Sequence, residues 1–386
     1  MGRKSNHMPT YRICTHCIMD TTDPEIAFDE QGVCNHCRQY ALLEAQYPYA
    51  HGGGEAVVAA LVDEIKAAGK GRPYDCVMGV SGGVDSSYLA YQMHRLGLRT
   101  LAVHMDNGWN SELAVSNIEK LLNQLGIDLY THVLDWEEFR DLQLSFLKAS
   151  VPDAEIPTDH AIAAVLYDTA ARHGIRYMIS GTNIVTEAIM PRRWTYGIWD
   201  WRYIRGIHEQ FGRVKLKRFP HYTRWSLLYC RFVKGIRSVR LLNYLPYRKE
   251  EALRVLEEEL GWRNYGGKHY ESIYTRFFQG YILPEKFNID KRRAHLSTLI
   301  CSRQMTREEA LSELAKDAYA SDLLATDKPF VIKKLGLTEA EFAALMAAPP
   351  RTYMDYPHTI PLRVRLQPLM GIADRLGLGT PKDVGI

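Results

Sequence analysis

The chain has 386 residues, of which 46% are hydrophobic and 24% charged, so its composition excludes a disordered polypeptide and its length allows two or three domains. The formal net charge of +3 permits an anionic substrate but is too small to indicate a nucleic-acid partner by itself. No apolar run approaches the roughly 18 residues of a membrane span, and the N-terminus lacks the apolar segment of a secretory signal. We therefore expect a cytoplasmic protein with no membrane partner.

Two Cys-x-x-Cys pairs near the N-terminus predict a zinc module over residues 9–45. Cys14 and Cys17 are separated from Cys34 and Cys37 by sixteen residues, a spacing typical of four-thiolate sites. Zinc would supply folding free energy that a segment of about 30 residues cannot obtain from a core. Because four thiolates fill a tetrahedral site, the pattern indicates a structural metal. A redox pair and a chance arrangement are the alternatives.

Residues 55–235 are predicted to form one domain. From Tyr74, short apolar runs alternate with amphipathic helices, and this alternation stops beyond residue 190. Strands are predicted at about 75–80, 99–104, 128–134 and 176–180, and helices at about 86–96, 111–125, 136–149 and 160–173. This alternation predicts an α/β fold with a parallel sheet covered on both faces. Residues 236–386 are predicted to be mainly helical, and Thr306 with Glu309 and Thr338 with Glu341 predict capping boxes that open two of these helices.

The segment Ser81–Ser87, with the sequence Ser-Gly-Gly-Val-Asp-Ser-Ser, is predicted to connect the first strand to the next helix. Glycines let a phosphate approach the backbone closely, and a helix N-terminus directs N–H donors toward it. The candidate nucleotide-binding residues are Ser81, Gly82, Gly83, Asp85, Ser86 and Ser87. Asp85 would repel an anion, which indicates a bridging Mg²⁺. A plain strand-to-helix turn is the alternative interpretation.

This loop lacks the Gly-Lys-Ser/Thr ending of a Walker loop and is similar to the PP-loop of ATP-pyrophosphatases. The resemblance implies that ATP is bound with its β,γ-phosphates as a leaving pyrophosphate, while AMP is transferred to a carbonyl or carboxylate oxygen. Ligands of open α/β sheets bind beyond the carboxyl ends of the strands. We therefore expect further nucleotide-binding residues after the second and fourth strands, namely His104, Met105, Asp106, Gly181 and Thr182.

Three polar residues near these strand ends have competing interpretations. Glu187 follows a segment that resembles NAD synthetases, in which the acid helps to hold magnesium, so it is a candidate metal-binding or catalytic acid. Asn183 is either part of this site or a helix N-cap. Asp159 is interpreted as the cap of helix 160–173.

The chain as a whole resembles the N-acetyl sugar amidotransferases of bacterial surface-polysaccharide (lipopolysaccharide O-antigen) biosynthesis. The matching segments are the cysteine module with Phe28–Cys34, the loop Ser81–Ser87, the segment Gly267–Gln279 and the segment Leu283–Ser297. Residues 10–315 carry most of the resemblance, and the last seventy residues match less well. The resemblance implies that ATP adenylates the oxygen of an acetamido group on a nucleotide-linked sugar, after which ammonia displaces AMP and leaves an acetamidino group.

This chemistry assigns expected roles to residues of the C-terminal region. Lys268, Lys291 and Arg292 are candidates for stabilising charge at the α-phosphate. Glu271 or His269 is the candidate base that deprotonates ammonium. Residues 191–225 interleave arginines with aromatics, which suits a phosphorylated ligand or, alternatively, a solvated basic face with aromatic core residues.

The ammonia is expected to come from other subunits. A glutaminase needs a cysteine in a Gly-x-Cys-x-Gly elbow or at position 2, and Cys76, Cys230 and Cys301 lack that setting while Gly2 occupies position 2. We therefore expect separate glutaminase and ammonia-channelling, cyclase-like subunits. A tRNA-thiolating PP-loop enzyme is the alternative function, although the small net charge speaks against a large RNA footprint. A non-catalytic zinc-ribbon adaptor is the alternative of a different class.

Overall fold

The computed structural model describes residues 10–47, 54–267 and 270–359, and its sheet has five parallel strands. The strands are β1 (Cys76–Gly79), β2 (Thr100–Asp106), β3 (Asp128–Val133), β4 (Tyr177–Ile179) and β5 (Arg237–Val239). They lie in the order β3-β2-β1-β4-β5. The parallel α/β fold and the four predicted strands are therefore confirmed. The sequence does not predict β5, a strand of three residues that lies in a segment with no strand-to-helix alternation.

Helices connect the strands and make up most of the C-terminal part. Those before β5 are α1 (Asn35–Glu44), α2 (Gly54–Ala68), α3 (Val84–Arg95), α4 (Glu112–Leu125), α5 (Trp136–Ala149), α6 (Ile156–His173), α7 (Ile184–Glu187), α8 (Trp201–Phe211) and α9 (Arg224–Leu228). Those after β5 are α10 (Lys249–Leu260), α11 (Ile273–Phe277), α12 (Leu283–Phe287), α13 (Lys291–Cys301), α14 (Arg307–Leu314), α15 (Ser321–Leu335) and α16 (Glu339–Ala347). Within the described ranges, no helix has the length and apolar character needed to cross a membrane.

The sheet is buried on both faces, as expected for parallel strands. Successive residues of β1 point in opposite directions, so Met78 joins the core on one face while Val77 joins the core on the other. Residues of α2, α3, α4 and α10 cover the first face, and residues of α6 cover the second. The carboxyl ends of the strands are thereby held at one rigid edge.

The helix boundaries follow local capping chemistry. The Thr306 and Thr338 capping boxes are confirmed at the starts of α14 and α16. The expectation for Asp159 is wrong, because α6 begins at Ile156 with Pro157 in its first turn, and Asp159 is a helical residue rather than the cap. Proline is compatible with a first helical turn, so the helix extends one turn further toward the N-terminus than the pattern predicts.

A third core joins the cysteine module to α5, α8 and the C-terminal helices. Arg293 of α13 forms an ion pair of 2.9 Å with the buried Asp20, and Ser297 Oγ accepts a hydrogen bond of 3.2 Å from the Ile18 amide. Trp194 and Tyr203 are also buried in this core, so these two aromatics of the 191–225 segment are packing residues. The module is therefore built into the fold rather than attached to it.

Candidate functional site

The loop Ser81–Ser87 leaves the carboxyl end of β1 and becomes the first turn of α3. Gly83 is the N-cap of α3, and no side chain caps this helix end. The first amides of α3, at the positive end of the helix dipole, are thus available to an anion. This is the geometry that the sequence predicts for a phosphate-binding loop.

The serines of the loop stabilise its conformation. Ser81 Oγ accepts a hydrogen bond of 3.2 Å from the Gly83 amide and lies 3.2 Å from Ser86 Oγ. Gly82 has a φ of +86°, and a Cβ added there would lie 2.9 Å from the Tyr265 hydroxyl. Both the backbone angle and the space therefore require glycine at this position.

Two aromatic residues far along the chain hold the loop from outside. Trp262 Nε1 and the Tyr265 hydroxyl donate hydrogen bonds of 3.0 and 2.9 Å to the carbonyl oxygen of Gly82. The sequence does not reveal these residues, although Tyr265 directly precedes the paired glycines Gly266 and Gly267 and Trp262 lies three positions before Tyr265. The contact brings the C-terminal part of the chain onto the phosphate loop.

Asp85 lies where the ends of β1 and β4 meet. The Thr186 hydroxyl donates a hydrogen bond of 3.2 Å to one carboxylate oxygen of Asp85, and the Tyr247 hydroxyl donates to the other. A Cβ added to Gly181 would lie 3.3 Å from the Ser86 amide nitrogen, so the two strand ends are in close contact. Because Glu187 is adjacent to Thr186 in α7, this region offers the hard oxygen ligands that suit Mg²⁺.

Tyr247 is a site residue that the sequence did not reveal. Burial raises its pKa well above the usual range, and the neighbouring Asp85 carboxylate raises it further. The phenol therefore stays protonated and donates its hydrogen bond to Asp85. No motif surrounds Tyr247 in the sequence, and only packing brings it to the loop.

Asn183 is confirmed as a helix N-cap. Its side-chain oxygen accepts hydrogen bonds of 3.1 and 2.9 Å from the amides of Val185 and Thr186. Asn243 accepts a further hydrogen bond of 2.9 Å from the Ile184 amide. These bonds orient the short helix α7, which carries Thr186 and Glu187 toward the loop.

The end of β2 is fixed by a second set of polar contacts. His104 Nδ1 lies 3.0 Å from the Val80 carbonyl oxygen, which requires the proton on Nδ1, so Nε2 accepts the 3.0 Å hydrogen bond from the Asn110 amide. Asp106 accepts a hydrogen bond of 2.8 Å from the Gly108 amide, and Met105 is buried in the core. Adenosine binding by this strand end stays a prediction.

Glu271 reaches the phosphate loop through a short antiparallel pairing. The Ser111 amide donates a hydrogen bond of 2.9 Å to the Glu271 carbonyl oxygen, and the Ile273 amide donates one of 2.9 Å to the Trp109 carbonyl oxygen. A Cβ added to Gly83 would lie 3.2 Å from Glu271 Oε1, so this carboxylate contacts the loop itself. The other two candidates of this segment, Lys268 and His269, lie outside the described residues.

Lys291 lies among carboxylates rather than in a cationic phosphate site. Its Nζ is 3.5 Å from Glu155 Oε2, and both side chains are largely buried. Burial lowers the pKa of Lys291, but Glu155, Asp153 and Asp159 outweigh burial and raise it. The lysine is thus a charged partner of these carboxyl groups, and its action at the α-phosphate stays a prediction.

Arg292 does not join this group. Its guanidinium donates a hydrogen bond of 2.8 Å to Asp290 and one of 2.9 Å to the carbonyl oxygen of Lys316. The first contact lies within the start of α13, and the second ties it to the residues that follow α14. Arg292 thus joins these two parts of the chain, and its action at the α-phosphate stays a prediction.

Replacing Asp159 with asparagine is expected to reduce the loss of stability with rising pH. Although the side chain reaches solvent, partial burial raises the pKa of Asp159 to about 8, and Glu155 and Asp153 raise it further. In the unfolded chain the pKa of an aspartate is about 3.9. The contribution of Asp159 to the free energy of unfolding is therefore complete below about pH 4 and is lost as the pH rises through about 8. Because solvent screens an exposed group, the effect should be modest. Calorimetric unfolding midpoints across this range measure it.

The matched control is Asp168→Asn, since Asp168 is an exposed residue of the same helix. This control should keep the pH dependence of the unmodified chain. Equal pH slopes in Asp159→Asn and the unmodified chain would contradict the assignment.

The four predicted zinc ligands lie together in one buried cluster. The Sγ–Sγ distances are 3.8 Å for Cys14–Cys37, 3.6 Å for Cys17–Cys34 and 3.6 Å for Cys34–Cys37. A tetrahedral zinc site with Zn–S bonds of about 2.3 Å has edges of about 3.8 Å, so the spacing fits the metal. Closed tetrahedral coordination would leave no ligand position for substrate.

Cys301 is not isolated, contrary to what its position in the sequence suggests. Its Sγ lies 3.8 Å from Cys37 Sγ, at the C-terminal end of α13. The two residues are 264 positions apart, so no local spacing could reveal the contact. Cys301 thus packs beside the cluster as a neighbour of one ligand.

Comparisons with known proteins concern the C-terminal part and the fold. Residues 271–367 match a family described as "LPS biosynthesis protein WbpG-like, C-terminal domain". The matched range begins at Glu271, the residue that contacts the phosphate loop. A comparison with curated proteins finds no match.

Three solved structures show low similarity to the chain. A predicted subunit of tRNA methyltransferase from Methanocaldococcus jannaschii is 18% identical, with 48% of this chain and 76% of that one covered and a TM-score of 0.28. NMN synthetase from Francisella tularensis is 13% identical, with 58% and 92% covered and a TM-score of 0.28. NH3-dependent NAD synthetase from Campylobacter jejuni is 17% identical, with 53% and 84% covered and a TM-score of 0.29. The fold assignment rests on the sheet itself.

Proposed function

We propose that this chain is an ATP-dependent enzyme of lipopolysaccharide biosynthesis that converts an acetamido group of a nucleotide-linked sugar to an acetamidino group. The main support is the contact between Glu271 and Gly83, because it joins the segment matched by the WbpG-like family to the phosphate loop. The Asp85 carboxylate and the α3 N-terminus supply the polar groups that an ATP site needs.

The reaction has two steps that balance. The acetamido oxygen attacks the α-phosphorus of ATP, so a C–O–P link forms and pyrophosphate leaves. Ammonia then attacks the activated carbon and AMP departs, which leaves a C=N bond in place of C=O. The loop amides and serines would stabilise the departing pyrophosphate, and Asp85 with Glu187 would hold Mg²⁺, which supplies charge neutralisation.

The carboxyl groups around Lys291 suit the cationic form of ammonia. Asp153, Glu155 and Asp159 surround Lys291, and Glu187 contributes to the field at Asp159. The charge of Glu155 attracts ammonium, and Asp159, whose raised pKa makes it the stronger base, can accept a proton once it is ionised. Asp159 thus joins Glu271 and His269 as a candidate base.

The free cysteines support an external source of ammonia. Burial raises the pKa of Cys76 to about 12, so this thiol is a poor nucleophile in the middle of β1. Burial also raises the pKa of Cys230, and Cys301 packs against the cysteine cluster. The proposal therefore includes separate glutaminase and ammonia-channelling subunits. The same thiols offer no support for sulfur transfer to tRNA.

Pyrophosphate release tests the proposal directly. The full chain is incubated with ATP, Mg²⁺, a panel of nucleotide-linked N-acetyl sugars and ammonium chloride, with mass detection of the oxygen-to-imino exchange in the sugar. We expect release with ammonium and none with glutamine. Release with tRNA and a sulfur donor, but with no sugar of the panel, would overturn the proposal.

A further inference from the structure

One part of the chain carries an unusual excess of positive charge. Residues 210–249 contain eleven lysines and arginines and no aspartate or glutamate. The whole chain has a formal net charge of only +3, so this segment is far more basic than the average. Arg237 pairs with Glu64 at 2.9 Å, whereas Lys215 and Lys217 are exposed lysines of the same segment. Exposed cations of this kind indicate an anionic partner surface.

The same segment presents large apolar side chains to solvent. Trp225, Tyr229, Phe232 and Val233 are 80%, 48%, 49% and 69% exposed. They occur at positions i, i+4, i+7 and i+8 of α9 and the π-helical turn that continues it, so they share one face. Neither helical element has a buried residue. We call these four side chains the apolar ridge.

The opposite side of this helix is attached to the fold. Leu227 and Cys230 pack against the core that includes Val77 of β1 and Val165 of α6. The helix is thus anchored through one face while the apolar ridge points outward. Leaving a large apolar side chain in water costs about 1.5–3 kcal/mol relative to burying it. The folding of this helix therefore gives no reason for the exposure of the apolar ridge. Such patches mark contact surfaces.

Cations lie on both sides of the apolar ridge in the sequence. Lys215 and Lys217 precede it and are exposed, while Lys234 follows it with Nζ 5.7 Å from the centre of the Tyr229 ring. Arg218 lies 3.4 Å from Asp135, but its side chain remains 80% exposed. Aromatic groups flanked by lysine and arginine are characteristic of helices that lie in a membrane interface.

We propose that the apolar ridge and its flanking lysines bind the surface of a membrane that contains anionic phospholipids. The aromatic side chains enter the boundary between headgroups and acyl chains, and the lysines contact lipid phosphates. A lipid surface fits the combination of exposed aromatic side chains with exposed lysines, because aromatic groups favour the headgroup boundary and lysines favour lipid phosphates. This peripheral contact replaces the expectation of no membrane partner, since binding at a surface needs no spanning helix.

Sedimentation with vesicles tests this proposal on the full chain. One set of vesicles contains phosphatidylcholine alone, and the other contains equal amounts of phosphatidylcholine and phosphatidylglycerol. We expect binding to the anionic vesicles, lost at high salt, and little binding to the neutral ones. Trp225→Ser with Phe232→Ser should weaken binding by about tenfold or more. Lys217→Glu with Lys234→Glu should weaken it by at least roughly twentyfold.

Matched controls separate membrane contact from a general effect of substitution. Val115→Ser removes an exposed apolar residue of α4, and Lys120→Glu reverses an exposed charge of the same helix. Both should bind vesicles like the unmodified chain, and all variants should keep its circular dichroism spectrum. Failure of the unmodified chain to bind anionic vesicles would overturn the proposal, as would undiminished binding by the variant that lacks Trp225 and Phe232.

Discussion

Replacing Asp85 with asparagine is expected to lower pyrophosphate release by about 10²–10³-fold. Asparagine keeps the shape of the side chain and one oxygen acceptor, which can receive the hydrogen bond from Tyr247, while its amide NH2 faces the Thr186 hydroxyl oxygen. What it removes is the negative charge that would hold Mg²⁺ against the phosphates. Steady-state pyrophosphate release, measured over a titration of MgCl₂, gives the turnover and the apparent metal affinity separately.

Two control variants separate the loss of the Asp85 charge from other effects of substitution. Asp63→Asn changes an exposed carboxylate of α2 and should leave turnover intact. Tyr247→Phe removes the hydrogen bond to Asp85 but leaves the charge of Asp85 in place. Pyrophosphate release should therefore fall by only about tenfold, which corresponds to one hydrogen bond to a charged group. If Asp85→Asn turned over normally at every magnesium concentration, Asp85 would have no part in holding the metal.

The sequence predicts the strands, the helix starts and the phosphate loop of this fold, because each depends on only a few neighbouring residues. The strand-to-helix alternation gives the parallel sheet, and Thr306 and Thr338 give helix starts three residues before their glutamates. The loop at Ser81–Ser87 is recognisable for the same reason, since a glycine at positive φ and a helix N-terminus are adjacent in sequence. Each of these features involves only a few consecutive residues.

The rest of the site depends on contacts between distant residues. Tyr247 and Asp85 are 162 positions apart, and Tyr265 is 183 positions from Gly82. Tyrosine and tryptophan occur in many cores, so nothing marks these residues before the chain packs. The contacts of Lys291 are likewise not predictable from the sequence, because its partners are distant along the chain. Lys291 lies in a basic run and is predicted at a phosphate, and the fold places it among carboxyl groups of α6 and of the residues just before it.

The zinc predicted at the cysteine cluster is expected to stabilise the C-terminal half as well as the N-terminal module. Cys34→Ser removes one thiolate from the buried cluster and should lower the free energy of unfolding by on the order of 5 kcal/mol, less than the full binding energy of isolated zinc peptides. The effect spreads because Arg307 donates hydrogen bonds of 3.2 Å to the carbonyl oxygens of Cys14 and Cys17. Zinc content and thermal unfolding measure the change.

Helix α13 connects the cysteine cluster to Lys291, a predicted site residue. Arg293 pairs with Asp20 of the module, and Lys291 lies two positions earlier on the same helix. Chelation of zinc should therefore reduce pyrophosphate release and protease resistance over the same range of chelator concentration. Cys230→Ser, at a half-buried thiol outside the cluster, should keep both zinc and activity. Full stability of zinc-free Cys34→Ser would instead mean that core packing alone holds the module, and the four thiolates would then need a role other than a structural one.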